Sequence, residues 1–498
     1  MFRFTAALFL SCNLLPVFVA AQTANIQTAP APLTPQQSLS IDRFIAAEMQ
    51  KERIPGLSLG IYSNGKTLLA KGYGLADVEL SVPVKPETLF QSGSVGKQFV
   101  SAAIMMLVED GKLSLDDSLA KFFPNAPAFW KPIKIKNLLS HTSGLAEYES
   151  DERTGPKGPF YLRLDFTEPQ MIAKIQALPM EFAPGAKWDY RNTNYVLLGY
   201  IIEKITGKFY ADFLHERIFQ PLGMSSTRLI SEADIIPNRS SGYELVPNKT
   251  THQKELKNQT WVSPTFDSTA DGALYYNVLD LAKWDAALYG TTLLKQSSLD
   301  RLWTVYPLND GKPNPSNYGF GWEITQLNGH KLIEHDGAWQ GFTCDISRYT
   351  DDTLTVVVLT NLDSDHSDPT LIAHVVAGLV NPALEVPKLE PIEDKQPELA
   401  TSVSTLLDQL TANKVDLTRL TPKLARRVTS ADGKEALSHL SGLWPNGTLV
   451  LVHREPKSGL TVSQYRLTKA DKSLLITFGL NSKGLIDTLG LEPDHEYQ

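Results

Sequence analysis

From Phe99 to Val108 the chain reads Phe-Val-Ser-Ala-Ala-Ile-Met-Met-Leu-Val, apolar on nearly every side of a helix. Such a helix offers no face to water and has to be enclosed by other elements. The chain must therefore build a core deep enough to surround it. Its 498 residues, 42% hydrophobic and 20% charged, suffice for that over two or three domains. Disulfides are not expected to help. The cysteines are Cys12 and Cys344, and Cys12 falls in a segment read below as removed.

Strand patterns stand on both sides of this helical region. Residues 56–62 and 66–72 flank Asn64-Gly65, a pair suited to a tight hairpin because both central residues need positive φ. Lys331–His335, Cys344–Tyr349 and Thr353–Asn361 are short, rich in β-branched residues and separated by turn residues. Helical periodicity covers Gln98–Asp110, Asn194–Ile205, Tyr210–Phe219 and Asp280–Tyr289, with Gly111 and Gly207 at C-terminal stops, and another helix runs from Ser40 to about Lys51. Strands, then helices, then strands predict an α+β fold: one antiparallel sheet closed by both ends, around an inserted helical region.

The flanks divide further. Arg3 followed by an apolar stretch ending in small residues near Ala21 predicts a secretory signal over residues 1–21, with Asn13 and Pro16 arguing against a retained anchor. No integral membrane segment is expected after its removal. Residues 22–39 read as a flexible leader, and 40–380 as the main domain. Pro382, Pro387, Pro391 and Pro397 punctuate an acidic linker over 381–397. Residues 398–498 read as a small α+β accessory domain: a helical face of Leu399, Val403, Leu406, Leu407 and Leu410, then strand patterns near Thr448–His453, Leu460–Leu467, Ser473–Leu480 and Gly484–Leu489. No catalytic constellation is evident there.

Ser94-Val95-Gly96-Lys97 opens the buried helix. A serine hydroxyl needs a base within hydrogen-bond reach, and residues three apart share a helix face. Burial lowers a lysine's pKa, which makes Lys97 a usable neutral amine, and the helix N-terminus offers N–H groups to a developing oxyanion. The spelling alone is weak: Ser63-Asn64-Gly65-Lys66 also fits, but falls on the hairpin turn.

Context supplies the rest. Leu89 to Lys97 followed by Leu107 to Asp117, Leu138-Leu139-Ser140-His141-Thr142-Ser143-Gly144-Leu145, and Trp188 to Tyr195 with Leu197-Leu198-Gly199 resemble successive blocks of class C β-lactamases and their relatives. So do Pro221-Leu222-Gly223-Met224, Asp271 to Leu274 with Asp280 to Trp284, Tyr318 to Trp322, and His335 to Phe342. The blocks keep the family's order from about Ser40 to Val380. The resemblance implies a β-lactamase/transpeptidase-like fold and a serine acyl-enzyme. It also implies that Tyr190, in Tyr190-x-Asn192, meets Ser94 and Lys97 and shuttles the proton, phenolate being favoured by nearby positive charge. Tyr62-Ser63-Asn64 and Tyr275-Tyr276-Asn277 share the spelling, but lack the helix-entering context. Asn192 is expected to hold a substrate amide or the lysine.

Where β-lactamases carry Lys-Thr-Gly or Lys-Ser-Gly, the matching block reads His335-Asp336-Gly337. Histidine is not a permanent cation, so the resemblance shifts toward D-amino-acid peptidases and esterases of the same group. Gly337 would let substrate approach the strand, and the N–H groups of Ser94 and Ala338 would form the oxyanion hole. Lys457-Ser458-Gly459 has the penicillin-binding spelling, but sits in the accessory domain between two strand patterns.

No zinc-ligand spacing or phosphate loop appears, so neither metal nor cofactor is expected. Lys and Arg number 47 against 55 Asp and Glu, a net charge of −8, which gives nucleic acid no basic surface. The sequons at Asn238, Asn248, Asn258 and Asn446 matter only in a eukaryotic pathway; family and signal type point to a bacterial envelope, secreted or periplasmic. The expected activity is a serine hydrolase cleaving an amide or ester of a small molecule or peptide. The alternatives are a β-lactamase or D-alanyl-D-alanine carboxypeptidase, and a silent protein that binds wall peptides.

Overall fold

A computed structural model describes residues 31–494, apart from 232, 249–250, 252, 364–366, 430–436, 438, 458–459 and 471. The segment read as an export signal, most of the leader, and Ser458 and Gly459 lie outside the described residues.

The first described helix, α1 (Pro35–Glu52), starts earlier than expected and takes in the end of the leader. Thr34 accepts from the Gln37 N–H while the Gln37 side chain accepts from the Thr34 N–H, a capping box with Pro at the first helical position. Strands β1 (Gly56–Ser63) and β2 (Lys66–Asp77) then form the hairpin. Asn64 and Gly65 at its turn take φ of 49° and 71°, as the sequence required.

After the short β3 (Val82–Pro83) comes the helical region, and the sheet resumes with β4 (Glu323–Leu327), β5 (His330–Trp339), β6 (Phe342–Tyr349) and β7 (Leu354–Thr360). The order is β3-β2-β1-β7-β6-β5-β4, antiparallel throughout, with Leu57 opposite Thr360 where the first and last strands meet. Alternation sends side chains to two cores. Leu57, Leu59, Ile61, Val356 and Val358 pack with α1 and α5 (Pro369–Val380), while Tyr62, Ile346, Val357 and Leu359 join the core of the inserted helices. That larger core encloses α2 (Lys97–Glu109), buried from Lys97 to Leu107, with α3 (Asn192–Thr206) and α4 (Val278–Ala287) beside it.

The proline-punctuated segment buries more than its composition suggests. Leu384 is fully buried on a 3₁₀ turn, and Asn328 Nδ2 donates to the Ala383 and Glu385 carbonyls. Further on, the Ile392 N–H donates to Leu451 O. Beyond Gln396 lie α6 (Pro397–Thr411), α7 (Pro422–Thr429) and a four-stranded antiparallel meander: β8 (Thr448–Lys457), β9 (Leu460–Lys469), β10 (Lys472–Asn481) and β11 (Ile486–Pro493). Val403, Leu407, Leu467, Ile476 and Phe478 belong to a third core.

Candidate active site

Ser94 sits on a 3₁₀ turn, Gly93–Gly96, that feeds into α2, and not on the first α-helical turn as expected. Residues three apart eclipse in such a turn, which stacks Lys97 on Ser94. Lys97 Nζ lies 2.8 Å from Ser94 Oγ and 2.7 Å from Asp271 O. Lys97 is fully buried, and burial pulls its pKa down to about 8, against the pull of the Asp271, Glu149, Glu147 and Asp336 carboxylates. A neutral amine is thus within reach near neutral pH.

Tyr190 closes the triangle. Its ring centroid is 5.0 Å from Lys97 Nζ, with Tyr195 on another side at 5.6 Å. His141 packs on the Tyr190 ring at 4.1 Å, and its Nδ1 accepts the Arg191 N–H, fixing the segment. Burial pushes the phenol's pKa far above its usual value; the Ser94 hydroxyl beside it pulls the other way and does not prevail. Tyr190 Oη makes no well-formed hydrogen bond among the described residues. The expected phenolate is therefore disfavoured.

The expected substrate contacts separate. A Cβ on Gly337 would stand 2.8 Å from Ser94 N, and one on Gly93, whose φ is +45°, would stand 2.4 Å from Ala338 N. Only glycine lets the two backbones come this close, which brings the Ser94 turn up to the Gly337–Ala338 strand. His335 is placed differently from expectation. Strand alternation buries it, 2% exposed, while Asp336 and Ala338 are exposed. Its Nε2 lies 2.8 Å from Tyr318 Oη and its Nδ1 2.6 Å from Asp336 O; burial lowers its pKa. A neutral, doubly engaged imidazole braces the wall and offers no cation to substrate. Asn192 does not bond to Lys97 either: its Nδ2 donates to Glu149, and its Oδ1 has no partner among the described residues.

A group of carboxylates escaped the sequence reading. Glu147 accepts the Asn192 N–H, Glu149 accepts the Asn192 amide, and Asp271 accepts the Tyr148 hydroxyl at 2.8 Å. Burial, with Asp271 and Glu147 nearby, raises Glu149 to about 8. Ser94, Glu149, Asn192, Asp271, Gly272 and Ala338 line one narrow cleft of about 20 Å³. A larger cavity of about 420 Å³, near Asp212, His215 and Arg228, contains none of them. Nothing in residue type marked the glutamates, because they lie on an aperiodic loop after the His141 block.

Comparison with known proteins agrees with this architecture. The Beta-lactamase family model matches residues 41–380. The chain is 31% identical over 323 residues to penicillin-binding protein 4* of Bacillus subtilis, covering 61% of this chain and 69% of that one. It is 29% identical over 359 residues to protein flp of Staphylococcus aureus, covering 70% and 68%. Among solved structures, the octameric penicillin-binding protein homologue from Pyrococcus abyssi superposes with a TM-score of 0.60 at 23% identity, covering 92% of this chain and 98% of that one. The D-amino acid amidase from Ochrobactrum anthropi SV3 gives 0.57 at 24%, covering 70% and 97%. Those two likenesses establish the fold, and the family match settles membership: the chain belongs to the Beta-lactamase family, whose fold is that of serine β-lactamases and penicillin-binding proteins.

Proposed function

We propose that the protein is a serine hydrolase that cleaves an amide or ester bond through an acyl-enzyme on Ser94. The observation that carries this reading is the 2.8 Å contact between Ser94 Oγ and a buried Lys97 amine whose pKa is lowered to about 8. Lys97 takes the Ser94 proton as Oγ attacks the carbonyl, and the oxyanion rests on the N–H groups of Ser94 and Ala338. Tyr190 gives its proton to the departing amine or alcohol and is reprotonated from Lys97. Water then attacks the ester on Ser94, its proton passes to Oγ, and the acid leaves. The apolar segment ending near Ala21 supports action outside the cytoplasm.

A fluorophosphonate probe tests the reading. Intact enzyme should be labelled at Ser94, whereas Ser94→Ala should lose the label and at least about 10³-fold in kcat. Activity retained by pure Ser94→Ala would overturn the assignment. His335 weighs against a dedicated β-lactamase, since the wall lacks the cation a β-lactam carboxylate needs; rapid nitrocefin hydrolysis would reverse that judgement. A silent peptide-binding role is favoured by no contact in the cleft.

A further inference from the structure

A pocket that shares Thr269 with the Ser94 cleft holds about 260 Å³ between α3 and residues 265–270. Phe166, Tyr200, Phe209 and Tyr210 line it with Glu168 and Glu203, and no Lys or Arg is among the described residues that do. Tyr200 and Glu203 stand one turn apart on α3 and so share a face. Both are half-buried, with surface left open to the pocket. The Tyr200 hydroxyl and the Glu203 carboxylate have no hydrogen-bond or ion-pair partner among the described residues. Lys204, next to Glu203 in the chain, is taken by Glu168 at 2.9 Å. Burial, with Glu168 beside it, raises the pKa of Glu203. A carboxyl group held partly out of water thus faces aromatic walls with no cation bonded to it. Phe166 already carries a cation on its ring, Lys174 Nζ at 4.7 Å from the centroid, although Lys174 does not line the pocket.

We propose that this pocket binds a small organic ammonium ion, with Glu203 answering the charge and the aromatic rings enclosing the alkylated nitrogen. Ring faces carry negative potential, so a cage of them attracts a cation, and alkyl groups on the nitrogen bury apolar surface against the same rings. Glu203 supplies the net charge that the cage lacks. An anion would meet a carboxylate with no cation in the wall to offset it, and a neutral apolar molecule would leave Glu203 partly desolvated and unpaired. The site is separate from the chemistry at Ser94. Its wall of residues 265–270 runs on into Asp271, whose carbonyl holds Lys97.

Isothermal titration of the full-length protein tests this with choline, its neutral isostere 3,3-dimethylbutan-1-ol, and phosphocholine. Choline should bind one to one and at least about tenfold tighter than the neutral alcohol. Glu203→Gln should weaken choline by at least about tenfold and leave the alcohol unchanged, and Phe209→Leu should weaken choline by about fivefold. Phosphocholine should bind more weakly than choline, because its phosphate finds no cation in the pocket. A cooperative unfolding transition shows that each variant is folded; if Glu203→Gln is not, the choline-to-alcohol ratio of the wild type decides. Equal affinity for choline and the alcohol, choline binding unchanged by Glu203→Gln, or no choline binding at all overturns the ammonium site. Tighter binding of phosphocholine than of choline overturns it too, in favour of a phosphorylated headgroup. Fluorophosphonate labelling of Ser94 is read separately, so the hydrolase reading stands or falls on its own.

Discussion

The two sheets of this molecule bury their strands in different ways. In the seven-stranded sheet, β6 and β7 are buried at every position, because helices cover both faces. In the C-terminal meander, β9 is fully buried only at alternate positions, with Ser463, Tyr465 and Leu467 inward and half-exposed residues between them. The difference reaches the chemistry. Double cover lets the large sheet and its inserted helices hold ionisable groups away from water: Lys97, Asp345 and Arg348 are all fully buried. Charged groups at the meander, such as Arg454 paired with Asp394 of the preceding segment, stay partly in solvent. Perturbed proton affinities therefore collect in the first region, which is where acid–base work can be done.

Lys97→Met attacks that contrast most directly. Turnover should fall at least about 10³-fold, and the wild-type rate should rise with pH through about 8 as the amine loses its proton. Stability should move the other way. Between pH 10.5 and about 8 the unfolded lysine binds a proton that the folded one refuses, so wild type loses stability as pH falls through that window and stays penalised below it. Methionine removes the penalty. Thermal unfolding at pH 7 should come at a higher Tm, with a flatter dependence between pH 8 and 10.5.

Asp285→Ala removes the carboxylate 2.7 Å from Arg348 Nε and strands a guanidinium packed against Tyr289 and Trp303. A loss of about 3–5 kcal/mol is expected in denaturant titration, because an unpaired buried charge remains. Leu407→Ala, in the core under the meander, should cost about 3 kcal/mol. That loss should appear only in the unfolding transition of residues 398–494, with kcat against a p-nitrophenyl ester within ~2-fold of wild type. Equal loss of activity would show that the two regions are energetically one.

What the sequence made legible follows from the same contrast. The meeting of Ser94 with Lys97 was readable because a fixed spacing precedes a helix with no polar face, and the place of Tyr190 beside them because a helix start follows it. The α+β arrangement was readable from where strand patterns stop and resume. Three things were hidden. Glu147 and Glu149 matter through where a loop places them, and a loop has no period to read. His335 was assigned to the substrate although Ile333 and Gly337, on its own side of β5, point inward. The edge strand β4, Glu-Ile-Thr-Gln-Leu, is half-exposed or exposed at every position and so lacks an apolar run.

The meeting of β1 with β7 also governs how the protein can be assembled. Leu57 finds its partner Thr360 only after nearly three quarters of the chain has been made. Until then the hairpin has one bare edge and the nucleophile helix lacks the strand that faces it. A translating chain must therefore be kept from aggregating until its last third arrives, and any truncation before His330 would leave Ser94 without the strand that faces it.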